Sequence, residues 1–287
     1  MSLTGRLKAP ADRGQASVLR RTMVHMLGGF ALVMRAPRYS ASQGLLWPLS
    51  GRIAAGAVIT FAALVGIMFL GDVWVIRQAQ QLPRWLIVAF DEITDFGKSG
   101  WFLWPLGLLL ITLAAKSPAA LPRFALLGMT AIAVRLGFLF TAIAIPGLFV
   151  TILKRLIGRA RPFVSGQADP FAYGWLELTA DYASFPSGHA TTACAAAVAI
   201  GALWPRWRTL IWTYTVTIAL SRVVILAHYP TDVIAGAIVG VLGALLVREW
   251  FAARRLGFAI GPDCVVRALP GPSLRRVKRL AQRVLAQ

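Results

Sequence analysis

The sequence predicts an all-α fold, a six-transmembrane-helix bundle with a long external loop between spans three and four. Three observations carry that expectation. Hydrophobic residues make up 57% of the 287 and charged residues only 14%, with a mean hydropathy of +0.67, far from the balance of water-soluble domains. The apolar residues gather in six stretches close to the length that crosses a hydrocarbon core, about 20 residues for about 30 Å. The connections between those stretches alternate between rich and poor in Lys and Arg, as expected of a chain that weaves through a membrane.

Taken in order, residues 1–50 form a basic cytoplasmic arm lying against anionic lipid. They do not read as a signal peptide: Thr22 to Met34 comes nearest to an apolar core but carries His25 and lacks a small-residue cleavage site. The span-bearing domain covers 51–251. Its spans are Ile53–Gly71, Trp101–Ala115, Phe124–Leu153, Ala190–Leu203, Thr209–Ala227 and Val233–Phe251. The second and fourth are short and borrow flanking residues. The third is too long for the core at about 1.5 Å per residue, so it tilts, bends near Pro146 or protrudes, with Arg135 snorkelling at its cytoplasmic end. Residues 252–287 are a basic tail. Within it Leu274, Val277, Leu280, Val284 and Leu285 share one helical face, which suits either an amphipathic helix on the inner leaflet or a disordered basic segment.

Segments 1–52, 116–123, 204–208 and 252–287, with the adjoining Arg248, hold most of the 30 Lys and Arg. Both termini are therefore expected in the cytoplasm of a bacterium, with segments 72–100, 154–189 and 228–232 outside its inner membrane. The net charge of +19 would suit nucleic acid. The basic residues crowd the ends of an apolar chain, however, so lipid is the expected partner and nucleic acid is not. Cys194 and Cys264 offer neither metal-ligand spacing nor a disulfide framework.

Three external segments concentrate the polar residues: Lys154 to Pro162 (KRLIGRARP), Pro186 to His189 (PSGH) and Ser221 to Asp232 (SRVVILAHYPTD). A phosphate ester resists attack because its oxygens repel nucleophiles and its alkoxide leaves poorly. Catalysis needs positive charge around those oxygens, a nucleophile in line with the leaving group, and an acid to protonate that group. Lys154, Arg161 and Arg222 provide a cationic clamp. Arg222 lies inside an apolar stretch, where a cation without a role is costly. Arg155 and Arg159 read as assisting or lipid-headgroup contacts.

Ser187 and Gly188 open the fourth span, where unpaired backbone N–H groups favour an anion. His189 beside them suits a general acid. Pro230 fits the first turn of the sixth helix, so His228 just precedes that helix and Asp232 lies in its first turn. The carboxylate can accept a hydrogen bond from one imidazole nitrogen, leaving the other to attack phosphorus and form a phosphohistidine that water releases. No cofactor or metal is required. Asp91, Glu92 and Asp95 recur at near-helical spacing among apolar residues and read as the solvated face of a surface-lying helix.

The pattern Lys154-x6-Arg161-Pro162, Pro186-Ser187-Gly188-His189, Ser221-Arg222-x5-His228-x3-Asp232 resembles the signature of the type 2 phosphatidic acid phosphatase (PAP2) family, which shares its site with vanadium haloperoxidases. All three motifs are present and in order. The resemblance implies a metal-independent lipid phosphatase whose site opens toward the outer leaflet. It assigns His228 as nucleophile, Asp232 as its partner and His189 as the acid. Lys154, Arg161, Ser187, Gly188 and Arg222 become phosphate ligands. The basic arm and tail lie outside it.

The expectation is an integral membrane enzyme hydrolysing a lipid phosphate or diphosphate. Undecaprenyl diphosphate, phosphatidylglycerophosphate, phosphatidate and lipid A 1-phosphate all fit. Phe163, Phe171, Tyr173 and Trp175 in the loop 154–189 are expected to form an interfacial lid. A lipid phosphotransferase would use the same intermediate with a lipid acceptor. A vanadium-dependent haloperoxidase would use the same pocket, but six spans count against it. A transporter leaves the two histidines and Asp232 unexplained.

Overall fold

The computed structural model describes residues 10–38, 51–115 and 123–272, together with 275 and 282. Its helices are α1 (Pro10–Met34), α2 (Gly51–Leu70), α3 (Asp72–Gln80), α4 (Arg84–Thr94), α5 (Gly100–Ala115), α6 (Arg123–Ile157), α7 (Gly188–Leu203), α8 (Arg208–Val224) and α9 (Pro230–Ala253). Among the described residues four stretches are long and apolar enough to cross a membrane: Ile53–Leu70, Arg84–Ala115, Phe124–Ile157 and Pro230–Ala253. The protein is therefore mostly helical and built for a bilayer. The short second stretch gains its length from α4, joined to α5 through a 3-10 turn at Asp95–Gly97. α7 and α8 are shorter, at 16 and 17 residues.

α7 is the centre of the bundle, packed on α6, α8 and α9. Its sequence, GHATTACAAAVAIGAL, has almost no bulk. In lipid there is little hydrophobic gain in bringing helices together, so close backbone approach through small residues supplies the attraction. α9 meets it with glycines: an added Cβ on Gly236 would lie 2.3 Å from Ser187 O, and one on Gly240 2.4 Å from Thr191 O. Thr191 Oγ1 bridges the two helices, 2.8 Å from Ser187 O and 3.0 Å from Gly236 O. Gly236→Leu is therefore expected to abolish recovery of monodisperse detergent-solubilised protein. Gly147→Leu, where no atom lies within 4 Å of the added Cβ, should leave that recovery unchanged. Normal yield and activity from Gly236→Leu would contradict this packing.

α6 runs unbroken through Pro146, although a proline removes a backbone donor and crowds the turn before it. Gly243 of α9 faces that ring, and an added Cβ there would come within 2.7 Å of Pro146 Cβ. A missing side chain on one helix thus accommodates the ring on its neighbour.

The end of the bundle away from the three motifs closes on Phe138, Ile143, Ala196, Val247 and Phe251. Here the structure departs from an all-α reading. β1 (Phe258–Ile260) and β2 (Val266–Ala268) form an antiparallel hairpin. Phe258 is buried with its ring 4.6 Å from that of Phe138. The strands are three residues each, too short for alternation to show in the sequence. Arg135 donates to Leu269 O at 2.7 Å, so it ties the tail to α6. The amphipathic helix expected over 273–287 falls outside the described residues, apart from 275 and 282.

Within the basic arm, residues 10–34 are helical. α1 docks along α5 and the far end of α9: His25 Nδ1 lies 2.7 Å from Ala114 O, and Trp250 Nε1 donates to Val33 O at 3.0 Å.

Candidate active site

Helix ends build the site. α6 stops at Gly158, whose φ of +64° is open to glycine and strained for other residues. An added Cβ would also strike Gly174 O at 2.0 Å. Lys154, in the last turn of α6, therefore sits just before the chain folds back across the bundle. α7 begins at Gly188 with Ser187 as its N-cap. A Cβ on Gly188 would lie 3.7 Å from Lys154 Nζ, so the ammonium and the α7 N-terminus share one space.

α8 delivers the second cation and the nucleophile candidate. Arg222 is buried, its Nη1 donating to Thr94 Oγ1 at 2.8 Å. Beyond it the chain reverses through Leu226, at φ +57°. The N–H groups of Ala227 and His228 both reach Arg222 O at 3.1 Å. α9 then starts at Pro230, and Ser187 N donates to Asp232 O at 2.9 Å, locking the starts of α7 and α9 together.

His228 is 1% exposed. Its Nδ1 lies 3.5 Å from Asp232 Oδ2, long for a hydrogen bond. Ser184 lies beside the pair, with Oγ 2.6 Å from Asp232 Oδ2 and 3.4 Å from His228 Nδ1. Asp232 Oδ2 also accepts Tyr229 N at 2.9 Å. Nδ1 thus faces the carboxylate, and Nε2 is the nitrogen turned away from it. Burial pulls the His228 pKa down to about 4; Asp232 opposes that shift, while Arg222 and Lys154 add to it.

His189 lies one residue inside α7, within electrostatic reach of Arg222, His228 and Lys154. The turn after α4 packs against it, so that a Cβ on Gly97 would come 2.8 Å from His189 Cδ2. Arg161 turns its N–H to Asp181 O at 2.7 Å, and its guanidinium lies within electrostatic reach of Asp232. The three segments, distant in sequence, meet at one end of the bundle.

Ser187 Oγ, His189 Nε2, Arg161 Nε and Arg222 Nε are buried without a hydrogen-bond partner from the protein, as are Tyr229 Oη and, away from the motifs, the Nε atoms of Arg35, Arg248 and Arg254. Buried polar groups are normally paired, so the gathering of Ser187, His189, Arg161 and Arg222 at the motif ends points to an oxygen-rich ligand. Asp91, Glu92 and Asp95 are exposed on α4 and the turn after it, and Asp95 pairs with Lys98 at 2.7 Å. Among the described residues no three His, Cys, Asp or Glu side chains cluster as metal ligands.

A family model described as the PAP2 superfamily matches residues 135–256, which hold all three motifs. The chain is 32% identical to the lipid A 1-phosphatase of Rhizobium johnstonii over 244 residues, 80% of this chain and 95% of that protein. It is 34% identical to the lipid A 1-phosphatase of Rhizobium etli over 207 residues, 71% and 88% of the two chains. The chain belongs to the PAP2 superfamily. The crystal structure of Aquifex aeolicus LpxE is a further similarity, with a TM-score of 0.45 at 22% identity over 62% of this chain and 94% of that one.

Sequence reasoning missed part of the surroundings of this PAP2 phosphatase. Arg159, read as a peripheral cation, is 1% exposed and bonded to Asp232 Oδ1 at 2.5 Å and Asp72 Oδ2 at 2.7 Å. Burial works against its charge, but Asp232 and Asp72 together hold its pKa above the ordinary value. Asp72, Ser184 and Thr231 were not singled out at all. Asp72 carried a signal, as an acid directly after the first apolar stretch. Arg155, by contrast, holds the loop after α6, donating to Thr179 O at 2.7 Å. In that loop Phe171 packs on Phe69 of α2 with ring centroids 4.6 Å apart, while Trp175 is 78% exposed.

Proposed function

We propose that this PAP2 protein is a lipid phosphate phosphatase working through a phosphohistidine on His228, with the 1-phosphate of lipid A as its first substrate. The unpaired polar atoms of Ser187, His189, Arg161 and Arg222 carry the reading. Their number and chemistry suit a phosphoryl group. The lipid A 1-phosphatases matched over nearly their whole length favour lipid A over the other lipid phosphates.

In the proposed reaction Lys154, Arg161 and Arg222 hold the phosphoryl oxygens, with Ser187 and the Gly188 end of α7 donating to them. Nε2 of His228 attacks phosphorus, and the P–O bond to the lipid breaks. His189 gives its proton to the departing oxygen. The Nδ1–H of the now cationic ring is stabilised by Asp232. His189 then takes a proton from water as that water attacks phosphorus, releasing inorganic phosphate and restoring His228.

The proposed topology has α7 and α8 crossing with the four longer stretches, six spans in all. Both termini lie on the cytoplasmic side of the inner membrane and the site faces outward. The basic termini rest on anionic lipid. The exposed Trp175, Leu176 and Leu178 sit at the outer interface beside the substrate chain, where aromatic side chains are favoured.

The test is phosphate release by purified protein from lipid A, undecaprenyl diphosphate, phosphatidylglycerophosphate and phosphatidate, with EDTA present. Lipid A should lose its 1-phosphate as free phosphate, detected by mass spectrometry. Transfer to a second lipid without free phosphate, or no reaction with any of the four, would overturn the proposal.

The buried ring makes a pH prediction. The neutral ring is the nucleophile, so acid removes activity by protonating it. With the His228 pKa near 4 rather than 6.5, kcat/KM should hold below pH 6 and fall only as pH approaches 4. An acid-limb midpoint at the ordinary 6.5 would mean that the ring is solvated in the working enzyme.

A further inference from the structure

We propose that Asp72 and Arg159 are positioning residues for the reaction, holding the carboxylate that orients His228 from a part of the chain outside the three motifs. The inference rests on the phosphatase reading above and adds residues that reading does not contain. Asp72 opens α3 and precedes residues 135–256, the stretch matched by the family.

The geometry is a continuous line of buried hydrogen bonds. Asp72 is fully buried. Its Oδ1 accepts Thr231 N at 3.0 Å, and its Oδ2 accepts Thr231 Oγ1 and Arg159 Nη2. Arg159 Nη1 reaches both Thr231 Oγ1 at 2.9 Å and Asp232 Oδ1 at 2.5 Å. Its Nε donates to Pro170 O at 2.9 Å, and the guanidinium lies over Tyr229, 4.5 Å from the ring centroid. Four sides of one cation are thus fixed. Asp232 Oδ1 is held by Arg159, and Oδ2 is left to Ser184, Tyr229 N and the imidazole.

Charge and rigidity argue for function over mere cohesion. One guanidinium sits between two buried carboxylates, so the group carries one excess negative charge beside a ring that becomes cationic when phosphorylated. A planar fork that bonds two acids at once sets direction as well as charge, which an ammonium cannot do. Asp72 also lies two residues beyond the end of α2. α2 is almost wholly unburied by the rest of the protein, its Phe69 packs on Phe171, and Phe171 adjoins the Pro170 that Arg159 holds. The lipid-facing helix, the external loop and the nucleophile's carboxylate therefore meet at one guanidinium.

The test compares wild type with Asp72→Asn, Arg159→Lys and Thr231→Val, each purified as the full chain. Orthovanadate binding counts folded sites, because the Lys154, Arg161 and Arg222 clamp is untouched in every variant. Per vanadate-binding site, Asp72→Asn should lower kcat at least tenfold, with KM and the vanadate Kd within threefold of wild type. Arg159→Lys should fall as far although it keeps the charge. Thr231→Val, which removes one link and no charge, should lose less. A purely cohesive role predicts fewer vanadate sites with normal kcat at each, and that result overturns the proposal. Wild-type protein that turns over none of the lipid phosphates overturns the phosphatase reading and this proposal with it. Wild-type turnover matched within threefold by Asp72→Asn overturns the positioning role alone.

Discussion

His228→Ala should reduce turnover at least about 1000-fold, since a lost covalent nucleophile is not replaced by its neighbours. The variant should remain folded. Asp232 gives up only a 3.5 Å contact with the ring, and it retains Ser184, Tyr229 N and Arg159 as partners. The cationic clamp is untouched, so orthovanadate should still bind. Acid-labile, base-stable phosphate should be trapped on wild-type protein in rapid-quench experiments and be absent from the variant. Retention of even a tenth of normal activity in a folded variant would remove His228 from the nucleophile role, whatever the fate of the rest of the site.

His189→Ala should slow phosphoenzyme formation by about 100- to 10,000-fold when the leaving group is a poor alkoxide, the usual range for a lost general acid. The effect should depend on leaving group. Nitrophenolate leaves a nitrophenyl phosphate without needing a proton, so the single-turnover burst with that substrate should fall far less. Equal losses for both substrates would leave His189 as a binding group only. Its Nε2 is buried without a protein partner, so it is free to meet the departing oxygen, and Gly97 leaves the ring the space it occupies. Both variants touch one atom of the chemistry each, which separates attack on phosphorus from departure of the lipid.

Different physical layers of the chain explain what could be read in advance. The helices were legible because burial in lipid demands long apolar runs, and helix-end residues such as Pro230 mark their own places. The motif residues were legible because a charge or imidazole at the end of such a run is expensive, so Lys154, Arg222 and His228 stood out against their surroundings. Arg159 was misread for the same reason. One cation within the basic run KRLIGRARP looks like another, and only burial between two carboxylates tells it apart. The hairpin at 258–268 was invisible because three-residue strands carry no period.

By itself, the sequence determined the membrane-spanning helical class, the family and the chemical set available for phosphate. Those depend on composition and on spacing along one chain. Only the tertiary structure decided which partners that set acquires: Asp72 reaching Arg159 across 87 positions, Ser184 beside His228, and Gly236 and Gly240 admitting α7. Contacts between distant segments depend on how helices pack, and close packing of small residues leaves almost no periodic trace in the chain that makes it.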